Sequence, residues 1–333
     1  MAEYREIFGE AVQSLPSSTG TIEGQIWYDS SNNALKLIAL NAGAWSSGNN
    51  MTGTTVRGFQ STGSYTAAVA NGGVSSTAMI NQTVDWDGTN WSTGNGSPVS
   101  ALYRCLFGTQ TAAVSAGGQN GPSTVYNTIN EYDGTNWTTS PGTLVQPTRS
   151  ARGTGTQTAG FLCGGSDGDP PTLLSQSYTY NGTTVSAVAS MPTVRANHSG
   201  SGTSQDSFIA YGGYVPPSET TTATTISWDG SSWSSVNSLN TAATNAAGTF
   251  SSSTSALSAT TSWPAVAPNE QWDGTCWATI ANLSTQRVNA CGSGTGANAF
   301  VAGGYDNSGP DQNTEATELW TGAAVGTQTI TTS

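Results

Sequence analysis

Apolar and polar positions alternate along the chain in short runs, each cut off by glycine or by an Asx-Gly pair. In one stretch, "ARGTGT" (151–156) reads as a strand of small residues and "AGFLCGG" (159–165) as an apolar strand buried on both faces. "LSQSYTY" (174–180) then alternates with period two, as a half-buried strand does, and an Asn-Gly turn leads into a last strand. Asp-Gly and Asn-Gly supply the positive φ that a tight hairpin demands. Four strands are therefore expected in this stretch, with no helix among them.

The same pattern recurs. "DWDGTNWSTG" (85–94), "EYDGTNWTTS" (131–140), "SWDGSSWSSV" (227–236) and "QWDGTCWATI" (271–280) are near-copies of one aromatic-flanked turn. The closing positions Trp45, Trp91, Trp137, Val185, Trp233, Trp277 and Val325 follow at steps of 46, 46, 48, 48, 44 and 48 residues. The turn glycines are Gly88, Gly134, Gly182, Gly230 and Gly274. Gly-Gly pairs at 72–73, 117–118, 164–165, 212–213 and 303–304 form a second mark, with Thr260-Thr261 where another pair is due. Arginines near the start of each unit, Arg57, Arg104, Arg149, Arg195 and Arg287, form a third.

Four strands per unit of this length match one blade of a β-propeller. The expected architecture is all-β, with six blades at about 55–97, 98–143, 144–190, 191–239, 240–282 and 283–333. Residues 1–54 form an N-terminal module. Seven blades are favoured, because 333 residues hold about seven such units and "YREIFG" (4–9) echoes "YRCLFG" (103–108). The alternative is six blades plus an N-terminal β-hairpin arm.

The Gly-Gly pairs and the aromatic pair around each turn resemble the kelch-type β-propellers over about residues 55–328. "GQIWYDSSNNALK" (24–36) and "GAWSSGNNM" (43–51) resemble a module of tail-fibre and virion proteins of marine bacteriophages. That resemblance implies a structural protein displayed on a virion. It also implies other virion proteins as partners, reached through the N-terminal segment.

Composition narrows the classes. Charged residues are 8% of the chain, against about 25% in ordinary soluble proteins. The net charge is −12 and Lys36 is the single lysine, so counterion release at nucleic acid or an anionic membrane is not expected. No apolar run approaches the roughly 20 residues of a membrane span, and "MAEYREIFGEAVQ" lacks a signal-peptide core. Cys105, Cys163, Cys276 and Cys291 have no metal-ligand spacing and are expected as free, mostly buried thiols.

Chemistry is scarce. The one histidine, His198, is expected to be structural, since a histidine-ligated metal centre needs more than one. Arg57, Arg104, Arg149, Arg152, Arg195 and Arg287 could converge on a carboxylate, but recurrence once per unit favours a structural role. Asp167 with Asp169, Glu219, and Asp306 with Asp311 read as solvated turn residues rather than calcium ligands or paired catalytic carboxylates. Asn-x-Ser/Thr triplets at Asn81, Asn90, Asn136, Asn181, Asn197 and Asn282 read as turn and strand chemistry. No catalytic residue, cofactor or metal is assigned, and no enzyme activity is expected.

The Asp-Gly turns are nearly uniform, whereas the loops after each Gly-Gly differ from unit to unit. Variation confined to one loop set of a rigid scaffold marks that face for binding. The candidates on it are Tyr214, Trp263 and Tyr305, for stacking on sugar rings or seating in a protein, with Asp167 and Asp306 beside them. A host surface polysaccharide or a neighbouring virion protein is the expected ligand, and the alternative is a docking propeller with no host ligand.

Overall fold

The computed structural model describes residues 13–15, 25–53, 56–76, 78–168, 171–216, 220–245, 247, 249–259, 268–306 and 313–330. Every regular element among them is a β-strand. They belong to two compact units, residues 45–321, and residues 1–44 together with 322–333.

The larger unit is a propeller of six blades. In blade 1 the strands Gln60–Ser64, Ala67–Asn71, Thr83–Trp86 and Trp91–Gly94 follow one another outward from the axis, all antiparallel. Blades 2, 3 and 4 repeat this over residues 105–143, 152–188 and 199–236. Blade 6 takes Cys291–Gly294, Asn298–Ala302 and Thr317–Thr321 from late in the chain and its outer strand, Ala44–Ser47, from early in it.

Blade 5 departs from the pattern. Its inner strand Thr249–Phe250 pairs in parallel with Ser199–Ser204 of blade 4, leaving Ala256–Ser258, Glu270–Trp272 and Trp277–Thr279 as a three-stranded sheet. Ser251 Oγ donates to Gly63 O at 3.0 Å and to Gly294 O at 3.1 Å, so this segment reaches blades 1 and 6. Thr260 and Thr261, which stand in this blade where Gly-Gly is due, lie outside the described residues.

Both sequence marks have a packing cause. The N–H of the second glycine in each pair donates to a carbonyl on the segment leading into the next blade: Gly73 to Ala101 O, Gly118 to Thr148 O, Gly165 to Arg195 O, Gly213 to Ala243 O and Gly304 to Val56 O, at 2.7–3.0 Å. A Cβ on Gly165 would stand 2.4 Å from Arg149 O, so the close approach requires glycine. In each aromatic-flanked turn the side chain of the first residue accepts two backbone N–H groups. Asp133 Oδ1 takes those of Thr135 at 2.8 Å and Asn136 at 2.7 Å. The flanking rings then face each other, Tyr132 stacked on Trp137 at 4.8 Å and Trp228 tilted against Trp233 at 5.5 Å.

The outer tryptophans also tie neighbouring blades. Trp91 Nε1 donates to Thr317 Oγ1, Trp137 Nε1 to Thr83 Oγ1 and Trp277 Nε1 to Thr225 Oγ1, at 2.8–3.1 Å. Trp233 reaches Ala189 O and Trp45 reaches Ala281 O, again on the preceding blade. Five of the six blades thus carry a buried or half-buried indole as a wedge, and Val185 takes that place in blade 3.

The smaller unit is a four-stranded sheet. Ile26–Asp29 and Ala34–Asn41 form an antiparallel hairpin, Ala324–Thr329 pairs antiparallel with its second strand, and Gln13–Leu15 pairs in parallel with its first. Asp29 Oδ1 caps the hairpin turn by accepting from Ser31 N at 3.0 Å and Asn32 N at 3.2 Å.

Two expectations change. There are six blades, not the favoured seven. Trp45 stands on the outer strand of the last blade, and Val325 pairs with Leu40 in the smaller sheet, so one of the seven register marks belongs to no blade. The boundary drawn at residue 54 falls inside the propeller, whose first residue is Trp45. The "YREIFG" echo lies outside the described residues.

Candidate functional site

Where the Gly-Gly loops emerge, each blade enters its inner strand through one residue of left-handed backbone. These are Gly58, Tyr103, Ser150, Asn197, Asn245 and Asn289, with φ between 52° and 68°. Their backbones are linked from blade to blade. Gly58 N–H donates to Asn289 O at 2.9 Å, Tyr103 to Gly58 O at 2.8 Å, Ser150 to Tyr103 O at 2.8 Å and Asn245 to Asn197 O at 2.9 Å. The result is a belt of peptide hydrogen bonds around the axis. Asparagine tolerates this conformation, but a tyrosine at φ 56° is strained and persists only where its surroundings hold it.

Beside this belt lies a crevice of about 150 Å³ lined by Tyr103, Arg149, Ser150, Leu173, Asn197 and Tyr214, among others. Blades 2, 3 and 4 contribute together. Arg149 is half-buried, its Nη1 donates to Gln119 Oε1, and its buried Nε has no partner among the described residues. Burial pushes the Tyr103 phenol up, and the nearby Arg57 and Arg149 guanidinium groups oppose that shift.

The arginines are not equivalent. Arg57 and Arg149 stand one residue before the left-handed position and remain half-buried on the loop face. Arg195 and Arg287 stand two residues before it and are buried. Arg195 Nη1 donates to Gly212 O and Thr224 O at 2.9 Å, and Arg287 pairs with Glu318 at 2.8 Å, the only ion pair among the described residues. Arg104 follows the left-handed position and bonds Val99 O at 3.0 Å. Successive residues of extended chain face opposite sides, so a one-residue offset separates solvent-facing from buried arginines.

The predicted binding residues separate. Tyr214 lines the crevice. Tyr305 occupies the same register in blade 6, bridged to Val288 as Tyr214 is bridged to Ala196, and the Arg57 guanidinium lies 4.9 Å from its ring centroid. Asp167 Oδ1 accepts from Thr172 N at 3.2 Å and closes a two-strand hairpin, as a turn residue does. Asp306 is half-buried, and its charge acts on Arg287. Trp263, Asp169, Glu219 and Asp311 lie outside the described residues. Tyr103, Arg149 and Asn197 were not singled out for binding, because the arginine offset is measured from a left-handed backbone position that residue type alone does not mark.

Elsewhere the chemistry is muted. His198 is fully buried with Nε2 3.8 Å from Cys163 Sγ, while its Nδ1 has no partner among the described residues. Burial, reinforced by Arg152 and Arg195, holds this imidazole neutral. Cys105, Cys163 and Cys291 are buried free thiols, burial lifting the first and last to about 12, and Cys276 is exposed. A larger hollow of about 420 Å³ at the other end of the axis is lined by Thr62, Thr109, Thr154, Thr203, Phe250 and Ser251 among others, with no ionisable side chain in its lining. No group of three or more His, Cys, Asp or Glu among the described residues is arranged to hold a metal.

No family model matches the chain, and neither does any curated protein. Solved structures do match. That of YjhT superposes with a TM-score of 0.66 at 10% identity, over 83% of this chain and 99% of the other. The likeness is one of fold. YjhT is a kelch-like β-propeller, and at this identity its chemistry does not transfer.

Proposed function

We propose that this protein is a non-catalytic display module of a bacteriophage particle. Its propeller presents the Gly-Gly loop face to a host surface glycan, and its N-terminal segment engages a neighbouring virion protein. The observation carrying the binding half of this reading is the contrast between the two faces. The Asp-Gly turns repeat one hydrogen-bond pattern from blade to blade, whereas the opposite loops vary and surround a crevice with a half-buried arginine. Support for the virion half is the resemblance of "GQIWYDSSNNALK" and "GAWSSGNNM" to phage tail-fibre modules. The sparse reactive chemistry of the loop face favours binding over turnover.

A glycan array probed with the full chain, its Tyr214→Ala and Trp263→Ala variants, and a particle-association assay test this reading. Glycan binding that weakens in the variants is the expected result. Particle association with no glycan binding would leave a purely structural docking propeller, and turnover of a sugar substrate would end the reading altogether.

A further inference from the structure

The propeller's half-buried cations both stand on the loop face. The chain has eight cationic residues and a net charge of −12. Of the six arginines in blades 1 to 6, Arg104, Arg152, Arg195 and Arg287 are buried. The remaining two, Arg57 and Arg149, flank the belt on the loop face and both act electrostatically on Tyr103. Neither is ion-paired among the described residues. Arg57 lies over the Tyr305 ring, whereas Arg149 lines the crevice, its Nη1 donating to Gln119 Oε1 and its Nε buried without a partner among the described residues. Residues with neutral donors line the same crevice, Tyr103, Tyr214 and Asn197, and Leu173 is among its apolar residues.

We propose that this crevice binds the carboxylate of an acidic sugar. Arg149 supplies the charge, Asn197 and the two phenols supply further donors, and Tyr214 packs against the sugar ring. The inference rests on the loop-face reading above and deepens it to a ligand class. A guanidinium presents donors in a planar fork that suits a planar carboxylate, and partial burial strengthens the attraction relative to open water. A volume of about 150 Å³ admits the carboxylate and part of one ring, so the remainder of a polymer would lie across the loops. Tyr103 keeps its strained backbone because the belt on both sides fixes it, and this holds the phenol at the crevice wall.

The test is calorimetric titration of the full chain with D-glucuronate, D-glucose, acetate and inorganic phosphate at low salt. Saturable binding of glucuronate, none of glucose, and weaker competition by acetate are expected. Arg149→Gln should weaken glucuronate binding at least about tenfold, and Arg149→Lys should weaken it less. Asn197→Gly, which keeps the left-handed backbone and removes the amide, should weaken it several-fold and guards against an Arg149 variant that fails to fold. Equal binding of glucose and glucuronate overturns the proposal. So does undiminished binding by a folded Arg149→Gln chain, or competition by phosphate at least as strong as that by acetate. Glycan binding on an array that ignores Arg149→Gln would sink this inference alone. Glucuronate binding by a chain that attaches to no host polysaccharide would sink the attachment reading instead.

Discussion

The indole rings of Trp45 and Trp320 lie 5.2 Å apart, tilted by 47°, in one sheet assembled from early and late parts of the chain. Trp45 also donates through Nε1 to Ala281 O at 2.9 Å, which ties blade 6 to blade 5. Trp45→Ala removes both contacts from the strand that completes the ring. It should lower unfolding stability by about 2–4 kcal/mol, read from the midpoint of a urea titration. An unchanged midpoint would mean that the strand contributes little to closure.

The buried pair Arg287–Glu318 offers a sharper test. Glu318 takes Arg287 Nη2 at 2.8 Å on one oxygen and Ser284 N at 2.8 Å on the other. In blade 5 the equivalent Glu270 accepts from Asn240 and Thr241 and pairs with no cation among the described residues. Glu318→Ala strands a buried guanidinium and should cost about 3–5 kcal/mol, whereas Glu318→Ala with Arg287→Leu should recover much of that loss. Denaturant unfolding of the three chains distinguishes the cases.

Acid sensitivity should come partly from the exposed turns. Asp229 is held below the usual carboxylate range by the backbone N–H groups of Ser232 and Ser231 and by both serine hydroxyls. Asp87, Asp133 and Asp273 are lowered by the same turn geometry. A lowered folded value means that the stabilising effect is complete above the ordinary range near 4 and fades as pH falls through the folded values. Asn181 makes the same two backbone bonds without charge. Asp229→Asn should therefore keep the fold at neutral pH and flatten the melting-temperature curve below about pH 4.

His198 acts in a higher window. The buried ring stays neutral, while in the unfolded chain it takes up a proton near its ordinary value of about 6.5. The unfolded state then binds more protons, so stability falls as pH drops below about 6.5, by up to about 1.4 kcal/mol per unit. His198→Gln should remove that slope between neutrality and about pH 5, as seen in thermal melts across the range. A slope that survives the substitution assigns it to other groups.

Turn chemistry and period made the blades legible, because Asp133, Gly134, Tyr132 and Trp137 act locally and their roles repeat. The blade count was not legible. A period counts register marks and cannot show that Trp45 pairs with a late strand, or that Val325 leaves the series for a different sheet. Tyr214 was found because the loop bearing it varies. Tyr103 and Arg149 were overlooked because recurrence made the arginines look alike. Only their offset from a left-handed backbone position, a property of φ rather than of residue type, sets Arg149 apart from Arg195.

The mixed parentage of blade 6 also constrains how such a molecule can change in size. A duplicated unit appended at either terminus would find no free seam, because the early strand is already zipped to the late ones. A larger ring would have to arise by copying an interior unit, after which every glycine stitch and indole wedge downstream would meet its neighbour unchanged.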